Sequence, residues 1–144
     1  MSKRLIQDII AGKKPVTTAS TMTVLDAARL MDKTNVASIL IVGTDGALEG
    51  IFTERDLLRR VVAVGIDPAK TTVGTVMTRD PHTISARARV LDAARAMREH
   101  RVRHLPVTSG GGPVGVISIR DLLGPELVES SREQDLRDRI WNDV

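Results

Sequence analysis

The chain contains no cysteine, which removes disulfides, thiolate metal centres and a cysteine nucleophile. Aromatic side chains are nearly absent: Phe52 and Trp141 are the only two of the Phe, Tyr and Trp class. Packing must therefore rest on Val, Ile, Leu, Ala and Met. The stacking platforms that single-stranded nucleic acids require are missing. Long apolar runs are missing too. The longest, Ile39-Leu40-Ile41-Val42, is far too short to cross a bilayer. Met1 to Leu5 leads into Asp8 without an apolar signal segment, so the expectation is a soluble, cytoplasmic protein with no membrane partner.

What is present is ordinary in amount. The chain has 144 residues, 42% of them hydrophobic, enough for one ordinary domain or two small ones that share a core. It has 21 Lys and Arg against 18 Asp and Glu, a formal net charge of +3. Such a balance fits a mixed solvated surface, or a site for anions such as phosphates. It shows no dense basic stripe and so argues against a nucleic-acid partner.

The arrangement is more informative, because the chain says much the same thing twice. Val24-Leu25-Asp26-Ala27-Ala28-Arg29 recurs letter for letter as Val90-Leu91-Asp92-Ala93-Ala94-Arg95. Met31 recurs as Met97 and Val36 as Val102. Gly50-Ile51-Phe52-Thr53-Glu54-Arg55-Asp56-Leu57-Leu58 is echoed by Gly115-Val116-Ile117-Ser118-Ile119-Arg120-Asp121-Leu122-Leu123. A repeat of this length means paired architecture and paired sites.

Local patterns give each copy the order β-α-β-β-α. In the first, Val16 to Thr18 is extended, Thr23 caps a helix to Lys33, Ala37 to Val42 and Leu48 to Thr53 form a hairpin, and Glu54 to Val64 is a helix. In the second, Thr83-Ile84 is extended, Arg89 to His100 is a helix, Arg103 to Thr108 and Val114 to Ser118 are strands, and a helix starts at Ile119. Residues 1–65 then form repeat 1 with an N-terminal helix, 66–72 a linker, 73–124 repeat 2, and 125–144 an amphipathic helical tail. The fold class is α+β. Two such small repeats bury their sheets against each other with pseudo-two-fold symmetry, which leaves two related clefts.

This pattern resembles the cystathionine-β-synthase (CBS) domain, in tandem, as a stand-alone Bateman module. The similarity spans residues 5–124 and is better in the second copy: Met77-Thr78, Pro81, Thr83-Ile84, Asp92-Ala93, Met97, Val102-Arg103-His104-Leu105-Pro106-Val107 and Gly115-Val116-Ile117-Ser118 followed by Asp121-Leu122-Leu123. The resemblance implies a regulatory sensor that binds an adenosine-containing ligand between the two domains.

Thr53-Glu54-Arg55-Asp56 and Ser118-Ile119-Arg120-Asp121 each follow a strand and open a helix. A hydroxyl there can share a phosphate with the open N–H groups of the helix start, and an ionised Asp suits the vicinal hydroxyls of a ribose. The same spacing is also a helix-capping signature. Both readings stand, and they can coexist. The resemblance implies phosphate contact from Thr53 and Ser118, ribose contact from Asp56 and Asp121, and adenine recognition by Val102-Arg103-His104-Leu105-Pro106. Arg55 and Arg120 can face phosphates, and Arg103 and His104 can add charge, although solvated strand-end charges are an equal account of the latter pair. Pro106 lacks a ladder donor and reads as an edge or strand-end residue. Thr83 belongs to the second site through Thr83-Ile84. In the first copy Thr17 and Thr18 match that pair, and Ala37 and Ser38 stand where the second copy has Arg103 and His104. The two clefts are thus expected to differ in affinity.

His100 and His104 without a carboxylate cluster argue against a metal site. No nucleophile, base and orienting group are grouped, so no catalysis and no catalytic cofactor are expected. The expected ligand is AMP, ADP, ATP or another adenosyl compound, the expected assembly a homodimer, and the expected partner a regulated protein of unknown identity. Two alternatives remain open on the sequence: a ligand-independent dimeric interaction scaffold, and a phosphate or nucleic-acid binder.

Overall fold

The computed structural model of the chain describes residues 4–122 and 140–141. In chain order the elements are α1 (Ile6–Ile10), β1 (Thr17–Thr18), α2 (Val24–Thr34), β2 (Ser38–Val42), β3 (Leu48–Thr53), α3 (Glu54–Leu57), a π-helical turn (Leu58–Val62), α4 (Val73–Val76), β4 (Thr78–Arg79), β5 (Ile84–Ser85), α5 (Val90–His100), β6 (His104–Ser109), β7 (Gly112–Ser118) and a 3₁₀ turn (Ile119–Leu122). Each copy therefore has the expected β-α-β-β order with a helical turn at its end. The helix expected over 54–64 is a single α-turn that widens into the π-turn and ends before Gly65, which takes a positive φ of 76°.

The chain divides into two compact units. One holds Pro15–Pro81 with Gly111–Pro113; the other holds residues 4–14, 82–110, 114–122 and 140–141. In the first unit the sheet order is β1-β2-β3-β4, with β1 parallel to β2 and the remaining neighbours antiparallel. In the second it is β5-β6-β7, with β5 parallel to β6. Parallel pairing of β1 with β2, and of β5 with β6, requires a crossover, and α2 and α5 supply it.

The identical helical words behave alike. Val24, Ala27 and Met31 bury one face of α2, as Val90, Ala93, Ala94 and Met97 do for α5. Ala at the repeated positions lets each helix lie close to its sheet. Both helices end on a left-handed residue, Asn35 at φ 55° and Arg101 at φ 54°. Their starts differ. Thr23 Oγ1 accepts the Asp26 N–H at 3.1 Å, whereas Arg89 offers no side-chain acceptor and its N–H donates to Asp92 Oδ2 at 3.0 Å.

Sequence order does not decide which helix joins which core. The N-terminal helix, grouped above with repeat 1, packs with repeat 2: Ile6, Ile9 and Ile10 are buried in one cluster with Ile84, Val90 and Met97. Conversely, Val73, Val76 and Met77, which lead into repeat 2, are buried with Val24, Met31 and Phe52. The backbone bonds match one for one. Val73 N donates to Met22 O at 2.7 Å and Gly74 N to Ser20 O at 3.0 Å; Ile6 N donates to Ala88 O at 2.8 Å and Gln7 N to Ala86 O at 2.9 Å. Each leading segment thus completes the unit built on the other copy.

Two glycines make room for these segments. A Cβ on Gly50 would lie 2.5 Å from Met77 Sδ and 2.7 Å from Thr78 O, and one on Gly115 would lie 2.9 Å from Ile10 Cδ1. Gly50 and Gly115 are repeat partners, as are Met77 and Ile10. The amphipathic helix expected over 125–144 lies outside the described residues, except that Ile140 is fully buried in the second unit's core and Trp141 is 48% exposed. Among the described residues, no helix is long and apolar enough to cross a membrane.

Candidate functional site

Each unit carries its motif where a strand turns into a helix. In the first, the Thr53 N–H donates to Asp56 Oδ2 at 3.0 Å, the Thr53 hydroxyl donates to the same oxygen at 3.2 Å, and the Asp56 N–H donates to Thr53 Oγ1 at 3.2 Å. This is a reciprocal capping box. In the second, the Ser118 N–H and hydroxyl donate to Asp121 Oδ2 at 2.7 and 3.1 Å. The capping box is thus complete at the first motif, and its carboxylate half is present at the second. It does not exhaust the carboxylates, because the box uses Oδ2 and leaves Oδ1 to other partners.

Behind each motif lies the strand preceding the hairpin. Ile119 N donates to Arg103 O at 2.9 Å, and Glu54 N donates to Ala37 O at 3.0 Å. These bonds bring 102–106 against 118–121, and 37–38 against 53–56, so the residues read as two motifs per copy form one patch in each unit. Ser38 is paired with Thr53 and buried. Arg55, Arg103 and Arg120 are exposed, and Val102 and His104 are half-buried. Leu105 is fully buried in the core, so only its backbone is available to a ligand. Thr17 and Thr18 form β1, beside Leu40 and Ile41; Thr18 Oγ1 lies 3.5 Å from Met22 Sδ. Thr83 is exposed just before β5.

Pro106 stands at a local edge within an inner strand. It is not on an outer strand, since β6 lies between β5 and β7. It is tolerated there because β5 is only two residues long and pairs from Val107 onward. The first unit shows what the proline removes. Leu40, its repeat partner, donates its N–H to Val16 O at 2.9 Å. Pro106 has no N–H, so the corresponding bond cannot form in the second unit.

The sequence reading missed two neighbours of Asp56. The Thr78 hydroxyl lies 3.4 Å from Asp56 Oδ1, and Arg60 Nε lies 3.7 Å from the same oxygen. Arg60 is four residues after Asp56, the spacing at which helical side chains meet, and that signal was available. Thr78 arrives through β4, whose pairing with β3 left no local trace in sequence. His100 stacks on His82, with ring centroids 3.5 Å apart and planes 11° from parallel. Among the described residues, no group of three His, Asp or Glu stands close enough to hold a metal ion.

Comparison with known proteins agrees with this architecture. The CBS domain family matches residues 6–63 and 73–124. The mitochondrial CBS domain-containing protein CBSX3 of Arabidopsis thaliana is 37% identical over 116 residues, 78% of this chain and 56% of the relative. The chain thus spans about half the length of that relative, and 20% of CBSCBSPB2 from the same plant. Among solved structures, the CBS domain protein PAE2072 from Pyrobaculum aerophilum, complexed with AMP, superposes with a TM-score of 0.76 at 25% identity, covering 94% of this chain and 98% of that one. The CBS domain pair of protein MJ0100, in complex with 5′-methylthioadenosine and S-adenosyl-L-methionine, gives a TM-score of 0.73 at 28% identity, covering 83% and 92%. The chain belongs to the CBS domain family and carries that domain twice, as a tandem pair of α+β repeats.

Proposed function

We propose that this chain is a regulatory module, not an enzyme, that binds an adenosyl ligand such as an adenine nucleotide and passes its occupancy to a partner protein. The observation that carries this reading is the bond from Ile119 N to Arg103 O, which joins the backbone of 102–106 to Ser118 and Asp121. That patch combines a carboxylate for ribose, a hydroxyl and Arg120 for phosphate, and a strand whose proline leaves backbone acceptors open for a base. Arg103 and His104 add cationic character beside it. The AMP complex of PAE2072 and the methylthioadenosine and S-adenosylmethionine complex of MJ0100 support the ligand class. Signalling follows if the ligand favours one conformation, by its difference in affinity between the two.

The test is thermal unfolding against AMP, ADP, ATP and S-adenosylmethionine. Ligand at a hundred times its dissociation constant stabilises the fold by about 2.7 kcal/mol. A midpoint rise of several degrees with one ligand, lost in Asp121→Ala, is the expected result. No rise across the panel, in protein stripped of carried-over nucleotide, sinks the reading.

A ligand-independent dimeric scaffold is the second reading. It is favoured by the exposed apolar side chains that follow α3: Leu58 at 59%, Val62 at 64% and Val64 at 60%. Exposed aliphatic groups at such spacing suit a second copy of the chain. Sedimentation of the wild type against Leu58→Glu/Val62→Glu decides it: a shift from dimer to monomer supports this surface as the interface, and no shift removes it.

A further inference from the structure

Asp56 and Asp121 hold equivalent places in the two repeats and are both half-buried, but Asp56 carries a second set of contacts that the repeat does not encode twice. The Asp56 side chain is 12% exposed. Its Oδ2 takes the capping bonds, while Oδ1 faces the Thr78 hydroxyl at 3.4 Å and Arg60 Nε at 3.7 Å. These two contacts are long, but Arg60 is fixed independently: its NH1 donates to Met77 O at 2.9 Å and to Val76 O at 3.3 Å. The guanidinium therefore bridges the end of α4 to the carboxylate that opens α3. It stands on the oxygen that the capping box leaves over.

The residues that build this bridge are not repeated in the second copy. The matched backbone bonds pair Val73 with Ile6 and Gly74 with Gln7; carried along the chain, that register sets Ala11, which has no hydroxyl, against Thr78. The repeat partner of Arg60 is Pro125, which brings no cation. The same unit has Arg103 in place of Ala37 and Pro106 in place of Leu40.

Building on the adenosyl reading above, we propose that Arg60 and Thr78 are specificity-determining residues that close the first site. Asp56 is then a structural node, Asp121 is the ribose-binding carboxylate, and the chain takes one adenosyl ligand. A ribose needs a carboxylate oxygen free to accept two vicinal hydroxyls. At Asp56 it would have to displace a hydroxyl and a cation that is anchored elsewhere. In the second copy the positions that correspond to Arg60 and Thr78 hold other residue types.

The experiment is isothermal titration of AMP and, in parallel, S-adenosylmethionine into the full chain. The wild type is expected to bind one molecule per chain, Asp121→Ala none, and Arg60→Ala/Thr78→Ala two. Two molecules on the wild type, binding that survives Asp121→Ala, or a double variant that still binds one would each overturn the proposal. A wild type that binds neither ligand counts against the adenosyl reading itself. The node is then decided without ligand, by the thermal midpoints of Arg60→Ala, Asp56→Asn and both together. Losses that fall short of additive support the bridge, because coupled neighbours share one interaction. Strictly additive losses overturn it.

Discussion

Gly115 shows how much one hydrogen can carry. A methyl group there meets Ile10 Cδ1 at 2.9 Å and Ile10 Cβ and Cγ2 at 3.1 Å. Overpacking of this kind costs about 1–3 kcal/mol. We expect Gly115→Ala to lower the urea midpoint accordingly, and Ile10→Ala to be less harmful in that background than in the wild type, since the smaller side chain vacates the space. At Gly50 the obstacle includes the Thr78 carbonyl, a backbone atom 2.7 Å from the added Cβ. Gly50→Ala has no such rescue. Arg89 offers the opposite opportunity. Thr23 caps α2 through its hydroxyl, and Arg89 at the matching position of α5 does not. Arg89→Thr should raise stability by about 0.5–1 kcal/mol, the worth of an N-cap side chain, read as a higher thermal midpoint. An unchanged or lower midpoint would show that Arg89 contributes elsewhere.

At the scale of the element, the repeat made most of the fold legible. Letter-identical helices with Ala and Met on one face had to bury the same stripe, and they do. Thr-x-x-Asp and Ser-x-x-Asp announced helix starts through bonds between near neighbours in sequence. What sequence could not give was pairing over long separations. β4 is two residues long and carries no periodicity of its own, so its place beside β3, and with it Thr78 beside Asp56, was invisible. Pro106 was legible only in part, for a related reason. Proline marks a missing donor, but whether a strand is outer or central over that residue depends on the length of its neighbour, here β5. The candidate site was readable as residue types and not as contacts: nothing local says that Thr78 joins Arg60 at one carboxylate.

For the whole molecule, the exchange of leading segments sets the stability of each unit. Ile6, Ile9 and Ile10 are at most 9% exposed, and burying an isoleucine is worth about 1.5–3 kcal/mol. Deleting residues 1–11 should therefore loosen the second repeat and largely spare the first. Amide hydrogen exchange is the measurement, with faster exchange expected in Val90–His100 than in Val24–Thr34. Equal acceleration in both helices would mean that the units do not open separately.

The reciprocal packing of α1 and α4 also bears on how a chain of this kind arises. In each unit the place beside the repeat is filled by the segment that leads into the other copy. Two half-length chains would complete each other by trading those segments, as a swapped dimer. Joining them end to end turns the trade into an internal one, at fixed and high effective concentration. Cutting the chain within 66–72 should accordingly yield two fragments that each carry a piece of the other, and that reassociate instead of folding alone.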